Sequence, residues 1–308
     1  MVRNALILTA GLGTRLRPLT DVRAKPAIPV AGEPMIRRII RWLTSRGVTD
    51  LVLNLHHLPA TVTAVVGDGR DLGARVRYSW EQPAVLGSGG GPRLALPLVG
   101  ADPFFIINGD TLTDVDLGAL AEAHAASGAV VTLALVPNRA FDRYGGVVVD
   151  GKNCVTGFVP RGPSAEGSFH YIGVQLARAE AFSAIRPGDA APTIGGIYDQ
   201  LMNNRPGTVR GFVLDADFWD VGTVADYWRT TNAFHTPERP MAASTVRIDP
   251  TAQVKDSILW DDIDVGAGAL VAHCIVTDGV RIPEGATYRD SILLARDGGL
   301  TAAPMPVA

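Results

Sequence analysis

The strongest constraint in this 308-residue chain lies near its end, where one pattern returns three times at a step of 17 residues. Ile248-Asp-Pro, Val265-Gly-Ala and Ile282-Pro-Glu recur at that interval, as do Asp256-Ser-Ile-Leu, His273-Cys-Ile-Val and Asp290-Ser-Ile-Leu. Ile263 and Val280 keep the same step. A short unit cannot bury its apolar row alone, so the repeat predicts stacked coils, each covering the row of the next. The six-residue runs IDPTAQ, VGAGAL and IPEGAT resemble hexapeptide repeats, which implies a short left-handed parallel β-helix over residues 244–296. Ile248, Val265 and Ile282 are expected in one inward stack, and Ile258, Ile275 and Ile292 in another. None resembles a catalytic group, so the tail is expected to serve stability and assembly. Residues 297–308 read as a flexible tail, and the Pro-containing stretch His235–Ser244 as the boundary behind a domain over 1–240.

The first third follows a different rule. Ala5–Ala10 is a short apolar run closed by Gly11, as in a buried parallel strand. Pro34 suits the first helical position, followed by Met35, Ile36, Ile39, Ile40 and Leu43 at helical spacing and Gly47 as the stop. Leu51–Leu55, Arg75–Trp80 and Phe104–Ile107 read as further strands. Alternating strands and helices predict an α/β, Rossmann-like domain whose mainly parallel sheet is covered by helices. Such sheets bind ligands beyond the carboxyl ends of their strands, where Gly11–Arg15 and Asn108–Asp110 fall.

Composition narrows the functional classes. A 47% hydrophobic, 19% charged chain supports a packed core. Cys154 and Cys274 stand 120 positions apart and offer neither a CxxC pair nor a disulfide framework. No stretch approaches the ~20 apolar residues of a membrane span, so a cytoplasmic protein without membrane partners is expected. A net charge of −3 argues against a nucleic-acid partner, and no aromatic–basic interleaving suggests one. Yet residues 1–41 hold eight basic and two acidic side chains, a local charge of +6 suited to a small anion.

That anion site has a candidate loop. GLGTRLRPLT follows the first strand, and its glycines let consecutive N–H groups turn toward a phosphate while Arg15 supplies a planar fork. It is not a P-loop, for no GK[ST] follows, and Leu16 stands where a dinucleotide fingerprint needs its third glycine. His56-His57 lacks metal-ligand spacing.

GLGTRLRPLT followed by KPAIPVAGEPMI resembles the signature of the sugar-1-phosphate nucleotidyltransferases, the NDP-sugar pyrophosphorylases, and the likeness runs through most of residues 2–230. It implies a reaction of a nucleoside triphosphate with a sugar-1-phosphate, giving an NDP-sugar and pyrophosphate. By that resemblance Ala10, Gly11, Gly13 and Thr14 wrap the nucleotide, and Arg15 and Lys25 hold phosphate oxygens. Asp110, in FFIINGD, and Asp220, in FWDVGT, match the carboxylates that bind a catalytic Mg2+. Hard oxygen donors completed by phosphate and water suit that ion. EQPAVLGSGGG over 81–91 resembles the second glycine-rich segment, with Gln82, Gly87 and Ser88 toward base and ribose. Asn108, Tyr144, Gly146 and Gly173 match regions that contact the sugar phosphate. Many relatives read Gly-Phe-Xaa-Glu-Lys-Pro where this chain has Gly157-Phe-Val-Pro160-Arg-Gly162, so Arg161 can bind phosphate while the acidic sugar contact is absent. The Leu86–Ser88 pattern and the β-helical tail lean toward mannose-1-phosphate guanylyltransferases using GTP. N-acetylmuramate-1-phosphate uridylyltransferases and other UTP, dTTP or CTP users are the alternative within the family. A non-catalytic nucleotide-sugar-binding subunit is the alternative outside it. A homo-oligomer through the β-helix is expected.

Overall fold

The computed structural model describes residues 2–235, 245–296 and 298–306. Two compact units emerge, one of Met1–Gly11 with Ile36–Trp219 and one of Leu12–Met35 with Asp220–Ala308. The units divide the chain elsewhere than near residue 240. The first glycine-rich segment belongs with the C-terminal part because its residues bond there, Arg23 to Asp261 and Asp278 and the Pro29 carbonyl to the Tyr227 hydroxyl. Residues 236–244, most of the expected boundary, lie outside the described residues.

The first unit is built on nine strands, β1 (Asn4–Leu8), β2 (Asp50–Leu55), β3 (Arg75–Trp80), β4 (Phe104–Asn108), β5 (Val131–Pro137), β6 (Gly146–Val149), β7 (Val155–Val159), β8 (Phe169–Ala177) and β9 (Val209–Val213). Their order is β7-β6-β8-β4-β1-β2-β3, with β5 pairing β8 and β9 pairing β5. Pairs β1–β2, β1–β4, β2–β3 and β5–β9 are parallel. β8 runs antiparallel to β4, β5 and β6, and β7 antiparallel to β6, so seven of the nine strands share one direction. Ala5, Leu6 and Ile7 are buried on both faces of β1, as a central parallel strand requires. Helix α1 (Met35–Ser45) buries Met35, Ile36, Ile39, Ile40 and Leu43 and turns Arg37, Arg38 and Arg41 outward. Pro34 precedes that helix in a two-residue strand instead of opening it. Helix α2 spans Pro59–Val66, α3 Gly87–Val99, α4 Leu117–Ser127 and α5 Tyr198–Asn204.

In the second unit, helix α6 (Val224–Phe234) opens with a capping box between Thr223 and Asp226. The 17-residue repeat then becomes three parallel ladders. Arg247–Ile248 pairs Asp264–Val265 and then Arg281–Ile282, with every partner 17 residues away. Gln253–Lys255, Leu270–Ala272 and Thr287–Arg289 form the second ladder. Ile258–Leu259, Ile275–Val276 and Ser291–Arg296 form the third. Coil corners recur at the same step: Asp256, His273 and Asp290 all take positive φ. The aspartates there adopt a left-handed conformation that most side chains resist. Val265 and Ile282 are buried as expected, but Ile248 is 44% exposed because its coil ends the stack. The expected flexible tail is also corrected. Gly299–Pro304 is a strand, antiparallel to Ser291–Arg296, that covers the edge a three-coil helix would leave open. Residues 297, 307 and 308 lie outside the described residues. No helix among the described residues is long and apolar enough to cross a membrane.

Candidate active site

In the first unit the strand order reverses at β1, which lies between β2 and β4, and in such sheets ligands bind beyond the carboxyl ends at this reversal. Leu8 is level with Asn108, so Ala10 and Gly11 leave the sheet beside Asn108 and Asp110. The Gly109 N–H donates to the Leu8 carbonyl at 3.0 Å. A Cβ on Gly109 would lie 2.5 Å from that same oxygen, so glycine lets the two strand ends approach. The short strand Phe218–Asp220, whose first two residues belong to this unit, pairs with Thr111–Thr113 just past Asp110. Thr113 Oγ1 donates to the Asp217 carbonyl at 2.7 Å and the Asp217 N–H donates to Asp114 Oδ1 at 2.9 Å, fixing that pairing.

A buried polar chain that the sequence reading missed holds the second glycine-rich segment. The Thr9 N–H donates to Asn54 Oδ1 at 2.6 Å, and Asn54 Nδ2 donates to Glu81 Oε1 at 2.6 Å. The other Glu81 oxygen accepts the Leu86 N–H at 2.6 Å. Glu81 is fully buried, and a Cβ on Gly91 would lie 2.3 Å from its Oε1, so the start of α3 packs against this carboxylate. Two facts could have pointed to it: a glutamate opening a glycine-rich loop, and an asparagine in the otherwise apolar β2. Gln82, on the loop, and Gly87, at the first position of α3, are exposed. Ser88 is turned to structure, its Oγ accepting the Thr193 N–H at 2.9 Å and sharing a hydrogen bond with the Thr193 hydroxyl.

Beyond β5, Tyr144 and His170 stack with centroids 4.1 Å apart, and Phe218 closes on both at 5.8 and 5.1 Å. With Asn138, Arg139 and Asp217 they line a cavity of about 270 Å3. Burial holds the His170 imidazole down to about 4, and the nearby Arg143 charge adds to that, so the ring is neutral at ordinary pH. His170 stands three residues before Gly173, which the resemblance associates with the sugar phosphate, yet only the ring geometry singles it out. Gly146 lies under Ser168, whose Oγ would be 2.1 Å from a Cβ there, so packing explains it. Gly173, at φ +79°, sits in the irregular part of β8 and makes room for the Asn108 side chain, 2.8 Å from a Cβ. Arg161 is exposed just past β7.

The second unit holds the other candidates. Gly13 takes φ +60°, and its carbonyl accepts from the Leu16 N–H at 2.9 Å and Thr20 Oγ1 at 3.0 Å. This closes a tight turn in which Thr14 and Arg15 are exposed and Leu16 is buried. A Cβ on Gly13 would lie 3.3 Å from Lys25 Cβ, so the turn backs onto the start of KPAIPV. Around Gly222 three charged groups converge. A Cβ there would be 3.3 Å from Arg15 Nη2, from Asp220 Oδ2 and from Asp226 Oδ2. Asp226 is occupied as the capping-box residue of α6, accepting the Thr223 N–H at 3.0 Å and pairing with Arg229. The Thr-x-x-Asp spacing was its legible signal. Among the described residues no cluster of three or more His, Cys, Asp or Glu side chains could hold a metal.

Comparison with known proteins accords with this geometry. The nucleotidyl transferase family matches residues 4–236, and a GlmU-like C-terminal hexapeptide family matches 237–288. The N-acetylmuramate alpha-1-phosphate uridylyltransferase of Neisseria meningitidis is 34% identical over 72% of this chain and 94% of its own. The mannose-1-phosphate guanylyltransferase of Mycobacterium tuberculosis is 27% identical over 92% of this chain and 82% of its own. The solved structure of HddC from Yersinia pseudotuberculosis, 23% identical, superposes with a TM-score of 0.66 over 76% of this chain and all of its own, a likeness of fold. With a family match through the whole N-terminal sheet and relatives that transfer nucleotidyl groups to sugar phosphates, this chain belongs to the nucleotidyl transferase family, among its sugar-1-phosphate nucleotidyltransferases.

Proposed function

We propose that the protein transfers a guanylyl group from GTP to the phosphate of a hexose-1-phosphate of the mannose type, releasing pyrophosphate. The observation that carries a transferase of this kind is the grouping of Arg15 with Asp220 at Gly222, on the same unit as Lys25. It pairs phosphate-holding charge with a carboxylate able to take a divalent ion. The guanylyl assignment is supported by the mannose-1-phosphate guanylyltransferase, 27% identical over 92% of this chain, although a UTP–glucose-1-phosphate uridylyltransferase of Synechocystis matches as far, 27% identical over 91%. A uridylyl reaction is the second reading, favoured by the higher identity, 34%, of the N-acetylmuramate alpha-1-phosphate enzyme over the N-terminal part.

In the reaction, a phosphate oxygen of the sugar-1-phosphate attacks the α-phosphorus of the nucleotide. A P–O bond forms there as the bond to the bridging β-phosphate oxygen breaks, and pyrophosphate leaves with the electron pair. No protein nucleophile is needed, so catalysis rests on positioning and charge. Arg15 offers a planar fork to phosphate oxygens and Lys25 a compact ammonium. Negative charge grows on the departing pyrophosphate, and groups already aimed at it lower the barrier most. The Glu81-held loop presents Gln82 and Gly87 to the base and ribose. The aromatic wall of Tyr144, neutral His170 and Phe218 presents an apolar face to the sugar, with Asn138 and Asp217 offering hydrogen bonds at its edge.

By the family resemblance, Asp110 and Asp220 are the carboxylates that would hold Mg2+. Two hard carboxylates leave room for phosphates and water around an ion that keeps several non-protein oxygens. Bound there, the ion would neutralise part of the negative charge of the phosphates. The test is pyrophosphate release from a matrix of four nucleoside triphosphates against a panel of sugar-1-phosphates. GTP with mannose-1-phosphate should give the highest kcat/KM. Preference for UTP with N-acetylmuramate-1-phosphate would decide for the second reading.

A further inference from the structure

The sequence assigns the tail only to stability and assembly, but one arginine of the first glycine-rich segment is bound to it. Arg23, two residues before Lys25, is buried, and its guanidinium meets two carboxylates on successive coils of the β-helix. Nε donates to Asp278 Oδ2 at 2.6 Å and Nη2 to Asp278 Oδ1 at 2.7 Å, a bidentate pair. Nη2 also donates to Asp261 Oδ2 at 2.5 Å. Asp261 and Asp278 are 17 residues apart, the same position on neighbouring rungs, so the repeat itself sets the spacing of the two carboxylates. The guanidinium lies 5.5 Å from the Trp260 ring centroid, within cation–π range. Trp260, fully buried, donates from Nε1 to the Tyr227 hydroxyl at 2.9 Å, and that hydroxyl donates to the Pro29 carbonyl at 2.7 Å. The segment is thus held at Arg23 and at Pro29, on either side of Lys25. Arg296 on the last coil adds an exposed contact to Asp21 at 3.2 Å.

Resting on the nucleotidyltransferase reading above, we infer that Arg23, Asp261 and Asp278 are positioning residues: the β-helix holds the Lys25 segment in its working geometry within the same chain. Neither sequence distance nor motif marks this clamp, because Arg23 and its partners are separated by 238 and 255 positions. A group that must meet developing phosphate charge tolerates little displacement. An error of about 1 Å can cost on the order of a hundredfold in rate. The β-helix then contributes to turnover although it carries no reacting group.

The experiment uses full-length protein and three variants, Arg23→Met, Arg23→Lys and the isosteric double change Asp261→Asn with Asp278→Asn. Hydrogen exchange over residues 19–30 and steady-state kinetics are measured well below the unfolding temperature. Arg23→Met should speed exchange in 19–30. It should also lower kcat by about tenfold or more while leaving KM for the sugar phosphate within about twofold, because the sugar cavity lies in the other unit. Arg23→Lys keeps the charge but loses the fork and should fall between wild type and Arg23→Met. The double asparagine variant keeps the shape and should follow Arg23→Met, which preserves the test if the methionine variant folds poorly. Unchanged exchange in 19–30 would overturn the clamp, and faster exchange with unchanged kcat would overturn the positioning role. Failure of the wild type to transfer nucleotide would instead defeat the functional reading, while the exchange result would still judge the clamp.

Discussion

The substitution Glu81→Gln exchanges one oxygen for an NH2 and should nonetheless unseat the second glycine-rich segment. The hydrogen-bond roles around this side chain are fixed from outside. The Thr9 N–H can only donate, so Asn54 Oδ1 must accept and Asn54 Nδ2 must donate toward Glu81. The Leu86 N–H can only donate as well, to the other Glu81 oxygen. Both oxygens must accept, which a carboxylate does and an amide cannot. The introduced amide would turn its NH2 against one of the two donors in a site closed to water. Losing one charge-assisted hydrogen bond and stranding a buried donor costs about 2–4 kcal/mol. At roughly 2–4 °C per kcal/mol for a unit of this size, Tm should fall by about 4–16 °C. Thermal unfolding followed by circular dichroism measures it. KM for the nucleotide should rise as well, because the loop bearing Gln82 and Gly87 loses its anchor. A Tm within about 1 °C of wild type would refute the reasoning, since it would mean the site can reorganise or admit water.

Other expectations follow from the same structure. Asp110→Ala or Asp220→Ala should cut the rate roughly a hundredfold or more at saturating nucleotide while altering thermal stability little, as single-turnover kinetics would record. Lys25→Arg should lose substantial activity despite conserving charge, because a planar fork replaces a compact ammonium. Arg15→Ala should lower kcat more than it raises KM, and a loss confined to KM would assign it to uniform binding. Burial pushes His124 and His170 down to about 4, so the unfolded chain binds protons near pH 6.5 before the folded one does. Stability should therefore fall as pH falls from 6.5 toward 4, by up to roughly 3 kcal/mol per histidine at the lower end. Urea midpoints across that window measure the slope, and His124→Gln should flatten it.

What the sequence made legible was local or periodic. The apolar run at Ala5–Ile7, the helical spacing from Met35 to Leu43 and the 17-residue step each carry their structure in a short window. Motifs singled out Asp110, Asp220, Arg15 and Lys25, and of these the structure brings Arg15 and Asp220 together at Gly222. The rest depends on partners far along the chain. The reversed direction of β8 follows from its pairing with both β4 and β5, and nothing within Phe169–Ala177 announces it. Glu81 reads as a surface charge until Asn54 and Leu86 are seen to enclose it. Arg23 passed as one of eight basic residues in a charged segment, although its carboxylates stand at equivalent repeat positions. Gly299–Pro304 lacks any apolar alternation strong enough to mark a strand, and its order comes from the edge it covers.

Guanylyl transfer is measured by following pyrophosphate release from purified full-length protein with GTP, mannose-1-phosphate and Mg2+, omitting each component in turn. Release should be matched one-to-one by GDP-mannose and abolished by removing the sugar phosphate, by chelating the metal, or by Asp220→Ala. Pyrophosphate release that proceeds without the sugar phosphate, or at an equal rate in the Asp220→Ala variant, would contradict it.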